Sequence, residues 1–189
     1  LIERGLYKSE YYVLCLFAVL GMMLMISAGN LTVLYLGLEL VAFSSYGLVG
    51  LDRDNPIASE AAMKYFVLGA IASGLLLYGM SMMYGATGSL QLDTIYLGVA
   101  QTTSPFMFKL GVVFILAGIA FKFGAAPFHM WLPDVYQGAP TAVTAFISSA
   151  PKLAAFAMAY RLLESAAGVA ASDWVPMLAV IATLSLLLG

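Results

Sequence analysis

Cysteine is nearly absent: Cys15 is the single one in 189 positions. That excludes an internal disulfide and any cysteine-ligated metal, and its apolar neighbours mark Cys15 as an ordinary core or lipid-facing side chain. Charge is scarce too, at 10% of residues, where a soluble chain carries roughly 25%. A formal net charge of −2 offers no basic patch for nucleic acid. Also missing are a His/Asp/Glu cluster at metal-ligand spacing, a phosphate-cradling loop, and a nucleophile beside a base. Soluble-enzyme chemistry is therefore not visible.

What is abundant is apolar surface, at 62% of residues. A membrane-spanning helix needs about 20 predominantly apolar residues, and six segments meet or approach that length: 10–28, 30–50, 57–84, 106–136, 139–163 and 174–188. In lipid every backbone polar group must be paired internally, which leaves helices or a closed barrel. Barrel strands need only about ten residues. The expected fold is all-α, a polytopic transmembrane helix bundle of about six helices. Asp52-Arg53-Asp54-Asn55-Pro56 forces a turn, and the polar stretch 86–105 reads as loop. The chain opens at Leu1 without an initiator methionine or signal-peptide pattern and stops at Gly189 in an apolar run. The expectation is an internal portion of a longer protein. Arg4, Lys8 and Arg53 fall on one side, whereas the opposite loops carry no Lys or Arg. The positive-inside rule makes the side of those three residues cytoplasmic.

The fourth segment differs from the others. Phe106 to Phe123 reads as an ordinary span, but Gly124-Ala125-Ala126-Pro127 and then Pro133 interrupt its continuation. Either the helix is broken at membrane depth, a frequent mark of ion sites in transporters, or it ends at Phe123 with an interfacial loop beyond.

Ionisable residues inside spans are functional candidates by default. Glu39 lies near the middle of the second segment, with Thr32 and Tyr46 at spacings of seven on its face. Lys64 has Glu60 four residues earlier, so it reads equally as a carrier or as an interfacial ion-pair partner. Lys122 follows sixteen residues of apolar helix with no local counter-ion. An amine in such surroundings gives up its proton more readily than in water, as a proton carrier near neutral pH must. His129 follows seven residues later; it titrates in the right range, though a lone histidine is more often structural. Lys152 sits mid-segment after Pro151, which should kink that helix, and Thr141, Ser148 and Lys152 form a polar stripe. Lys109 and Arg161 stand at segment ends and read as interfacial anchors. Four charges at mid-membrane would cost about 12 kcal/mol at roughly 3 kcal/mol each. Spread over four helices, they suggest a path across the bundle.

The run Phe121-Lys122-Phe123-Gly124-Ala125-Ala126-Pro127-Phe128-His129-Met130-Trp131-Leu132-Pro133-Asp134-Val135-Tyr136-Gln137-Gly138-Ala139-Pro140 resembles the broken-helix region of the antiporter-like subunits of respiratory complex I. Gly37-Leu38-Glu39-Leu40, Ala61-Ala62-Met63-Lys64-Tyr65 and Ala150-Pro151-Lys152-Leu153 resemble the same family in the same order. The resemblance covers essentially the whole chain. It implies one of two inverted repeats, about helices four to eight with the start of the ninth, in a multi-pass protein of the bacterial inner membrane. It also implies proton translocation through Glu39, Lys64, Lys122 and Lys152, a lesser role for His129, and a structural break at Gly124, Pro127 and Pro133. The implied partners are the other membrane-arm subunits, the peripheral arm and the lipid bilayer. FMN, iron–sulfur clusters, NADH and quinone would belong to the complex, with none bound by this chain. The expected function is a proton-translocating subunit of an NADH:quinone oxidoreductase, without redox chemistry of its own. The alternatives are a subunit of a multi-subunit cation/proton antiporter and a passive membrane scaffold.

Overall fold

The structure, a computed structural model, describes residues 9–188. Arg4 and Lys8, two of the three charges behind the orientation, lie outside them. Apolar content without interruption gives α1 (Ser9–Ser27) and α2 (Leu31–Val49), a hairpin turned at Asn30, whose side chain caps α2 by accepting from the Val33 N–H at 2.8 Å. The Asp52–Pro56 turn delivers α3 (Pro56–Thr87), with Asn55 as N-cap and Pro56 in the first turn, where no N–H is missed. Next come a short α4 (Leu92–Val99), α5 (Pro105–Phe123), α6 (Trp131–Gly138), α7 (Thr141–Ile147) and α8 (Ala150–Tyr160). A π-helical turn over Arg161–Ala166 extends α8, and α9 (Ala171–Leu188) closes the described chain. Among the described residues, 6 helices, taking 141–166 as one, are long and apolar enough to cross a membrane.

Three local expectations need correcting. The stretch 86–105 is not all loop: Leu92 and Ile95 are buried and carry α4, a helix too short to register as a span. It is pinned by a bridge to the α1–α2 turn, Leu31 N–H to Leu90 C=O at 2.9 Å and Leu92 N–H to Gly29 C=O at 3.1 Å. The segment 139–163 is not one helix kinked at Pro151. The helix stops at Ser148–Ser149 and restarts with Pro151 in its first turn. That interruption dissolves the continuous Thr141–Ser148–Lys152 stripe, because Thr141 and Ser148 are exposed and only Lys152 turns inward. Pro133 does not break a helix either. It occupies the first turn of α6, where the restart needs no donor.

With lipid outside, helices associate by close packing rather than by the hydrophobic effect, and small residues set the approach. Gly21 and Gly37 bring α1 and α2 together so tightly that a Cβ on Gly37 would lie 2.8 Å from the Gly21 carbonyl. Gly79 and Gly111 do the same for α3 and α5, with 2.6 Å from a Gly79 Cβ to the Gly111 oxygen. Bulky side chains such as Leu34, Leu76, Met83, Phe108 and Ile115 then fill the core between the two pairs. This framework fixes α2, α3 and α5 around the end of α5, where the chain breaks.

Candidate functional site at the helix break

α5 ends because Gly124 adopts φ +70°, a left-handed conformation that glycine takes without steric penalty. Its N–H and that of Ala125 return to the carbonyls of Phe121 and Ala120, at 2.9 and 2.8 Å. A Cβ on Gly124 would run into the Leu132 side chain, so the break also packs against the helix that follows it. The Ala126–Pro127 peptide is cis, and Phe128 N–H closes a turn on the Ala125 carbonyl at 2.8 Å. The chain resumes as α6 at Trp131, lying along the start of α3 where Gly138 meets Ala61 and Ile57.

A helix end inside a bundle leaves carbonyls that need donors. Two side chains supply them from beyond the break. The Trp131 indole N–H donates to Phe121 C=O at 3.0 Å, and the Lys152 ammonium donates to Phe123 C=O at 3.1 Å. Trp131 is held flat by stacking on Tyr65 at 4.7 Å. The Lys152 charge lies 5.7 Å from the centre of the Tyr136 ring, and Lys122 5.9 Å from that of Phe121, within cation–π range.

Lys122 and Lys152 line one small cavity of about 30 Å³, with Ser45, Tyr65, Trp131 and Pro151 in its wall. That volume admits a water molecule or two, and the lysines and the Tyr65 and Ser45 hydroxyls give such waters partners. The two lysines that stood apart in the sequence are therefore brought to the same place. Glu39, on α2, does not line the cavity. Its carboxylate acts electrostatically on Lys122 but forms no ion pair with it, and among the described residues Glu39 Oε1 is buried without a hydrogen-bond partner. Tyr35, one turn earlier, and Tyr46 also feel this carboxylate; Thr32 is exposed.

The other candidates lie elsewhere. Lys64 bridges Glu60 at 2.8 Å and Asp134 at 3.1 Å in a separate notch of about 120 Å³ near the first turns of α3. Its side chain is 43% exposed. Glu60 was legible as its partner; Asp134 was not, since only the fold carries α6 back to α3. His129 sits in the break with a buried Nδ1 that has no partner among the described residues, and it lines neither cavity. Lys109 pairs with Asp173 at 2.9 Å, and Arg161 donates to the Ile26 carbonyl at 3.1 Å. Both thus tie helix ends to neighbouring elements. Trp131, Tyr65 and Ser185, whose hydroxyl accepts from the Ala126 N–H at 3.0 Å, were not singled out from the sequence; a lone serine in an apolar run carries no signal.

Comparison with known proteins places the chain in a family. NADH-quinone oxidoreductase subunit N of Thiobacillus denitrificans is 57% identical over 189 residues, covering 98% of this chain and 39% of that one. The chain thus spans about two fifths of the length of the curated relatives it matches. A chain of respiratory complex I from Thermus thermophilus with bound aureothin is 42% identical, with a TM-score of 0.72, over 83% of this chain and 35% of its own. A chain of the membrane-bound sulfane sulfur reductase, an archaeal respiratory membrane complex, is 34% identical, with a TM-score of 0.80, over 92% and 36%. Residues 28–189 match the transmembrane family described as NADH:quinone oxidoreductase/Mrp antiporter. A bundle with six membrane-length helices, matched to that family over most of its length, makes this chain a multi-pass membrane protein of the NADH:quinone oxidoreductase/Mrp antiporter transmembrane family.

Proposed function

We propose that this chain forms part of a proton-translocating, antiporter-like membrane subunit of an NADH:quinone oxidoreductase, in which protons pass between Lys122 and Lys152. The observation that carries this reading is the shared cavity at the break, with both lysines in its wall. Glu39 biases the exchange. When its carboxylate approaches Lys122 the charged amine is favoured, and when it withdraws the neutral amine is favoured. Moving one proton against roughly 200 mV requires about 4–5 kcal/mol. Closing a glutamate–lysine pair to about 4 Å at an effective dielectric near 20 supplies about 4 kcal/mol. The present spacing, coupled but not paired, leaves room for that movement. The cap on Phe123 links Lys152 to the same break, so a change in either lysine's charge is felt at one helix end.

In this reading the subunit is coupled to quinone reduction carried out elsewhere in the complex, and flavin and iron–sulfur clusters belong to its peripheral arm. Lys64 is assigned to the approach from the water-facing side, since it faces an open polar notch, and His129 to the break itself, where its Nδ1 is buried. The test is Lys122→Met in the full-length subunit within its complex. Proton uptake per electron should collapse while the complex still assembles; intact pumping would refute the reading. Sodium-dependent proton exchange without NADH oxidation would favour the antiporter branch of the family instead.

A further inference from the structure

The break at 124–130 is held by more than the two donors on the α5 carbonyls. Ala126 is 3% exposed, so its N–H has no access to solvent, and an unpaired buried N–H is costly. Its partner comes from α9. The Ser185 Oγ accepts from Ala126 N–H at 3.0 Å while its own proton goes to the Ile181 carbonyl at 2.8 Å. A hydroxyl has one donor and two acceptor sites, so the bond to Ile181 fixes the rotor and leaves a lone pair aimed at the break. Thr183, also on α9, instead bonds only back to its own helix, at Ala179.

α9 has no fully buried residue, and Trp174, Met177 and Leu178 seat its first half partly against the core. Polar ties add to that packing. At its start Asp173 pairs with Lys109 of α5 at 2.9 Å, and near its end Ser185 holds Ala126. The twelve helical steps from Asp173 to Ser185 span about 18 Å at 1.5 Å per residue. α9 is therefore strapped along α5 and its break, with its far end fastened four residues beyond Lys122.

We propose that Ser185 is a positioning residue for proton transfer: it fixes the helix break from α9, and through the break it sets the spacing of Lys122 and Lys152. This rests on the lysine-pair reading above. A displacement of α9 pulls on Ala126, and Gly124, two residues away, is the left-handed joint about which that pull turns the end of α5. No atom of Ser185 exchanges the transported proton.

The experiment uses the full-length subunit in its respiratory complex, with Ser185→Ala and Ser185→Thr. Amide hydrogen exchange over residues 124–130 reports the tie directly, and protons moved per electron, followed against pH, report its consequence. Ser185→Ala should speed exchange at Ala126 by roughly tenfold, the ratio for losing one hydrogen bond of ordinary net strength. It should lower protons per electron and displace the pH profile of pumping, with Ser185→Thr restoring both. Unchanged exchange in Ser185→Ala would overturn the tie. Faster exchange with unaltered pumping and pH profile would overturn the positioning role while leaving the lysine pair standing. If Lys122→Met in the same preparation also pumps normally, the reading beneath this inference fails and the inference falls with it.

Discussion

The Lys152 ammonium caps the last carbonyl of α5, Phe123, at 3.1 Å. A helix C-terminus attracts cations, so one lysine serves two ends: it stabilises the break and faces the cavity shared with Lys122. Arginine separates these duties. It can donate to the carbonyl and keep the positive charge, but it does not deprotonate in proteins. Lys152→Arg should therefore assemble as the parent does yet fail to pump, and Lys152→Met should lose pumping and weaken the break. Proton uptake by inside-out vesicles, set against NADH:quinone turnover, measures both; a pumping arginine variant would remove Lys152 from the proton path.

Lys64 and Lys122 should differ in their response to salt. Lys64 sits between Glu60 and Asp134 with 43% of its side chain exposed, and exposed charges are screened over about 10 Å at 0.1 M salt. Lys122 is partly buried beside the cavity and is screened far less. The effect of Lys64→Ala on turnover should therefore shrink between about 0.05 and 0.5 M salt, while that of Lys122→Ala should not. A parallel salt response of the two variants would place both lysines in one environment.

The division between what was legible and what was not follows the physics. Apolar length alone marks the membrane helices, because lipid permits few solutions. The charge of Lys122 and Lys152 stands out because an apolar run offers no local partner. Their meeting in one cavity is not legible, since it depends on α8 turning back along the end of α5. The same is true of Asp134, 70 residues from Lys64, and of Ser185, 59 residues from Ala126. Pro133 misled in the other direction. Proline signals a boundary but not which side of it the helix lies on, and here it opens α6 rather than closing α5.

Gly124→Ala tests the joint. A side chain at φ +70° costs roughly 1–2 kcal/mol from local sterics, and the new Cβ also meets Leu132. The variant should lower the temperature at which the purified complex loses activity. Adding Leu132→Ala should recover the part due to collision and not the part due to backbone conformation. Full recovery would mean that the left-handed conformation is not what ends α5.

Glu39 offers the sharpest separation of charge from packing. Glutamine has nearly the same volume and fits the same face of α2, so Glu39→Gln removes the carboxylate charge with little loss of contact. Because Glu39 Oε1 has no hydrogen-bond partner among the described residues, the substitution sacrifices no bond seen at that oxygen, and the complex should assemble normally. What it loses is the attraction on Lys122, so protons per electron should fall even though quinone turnover continues in uncoupled form. Glu39→Asp keeps the charge one methylene further from the lysine and should fall between the two. The order parent, aspartate, glutamine in proton uptake is what a charge bias demands. Equal pumping in all three would mean that Lys122 is governed by the break alone.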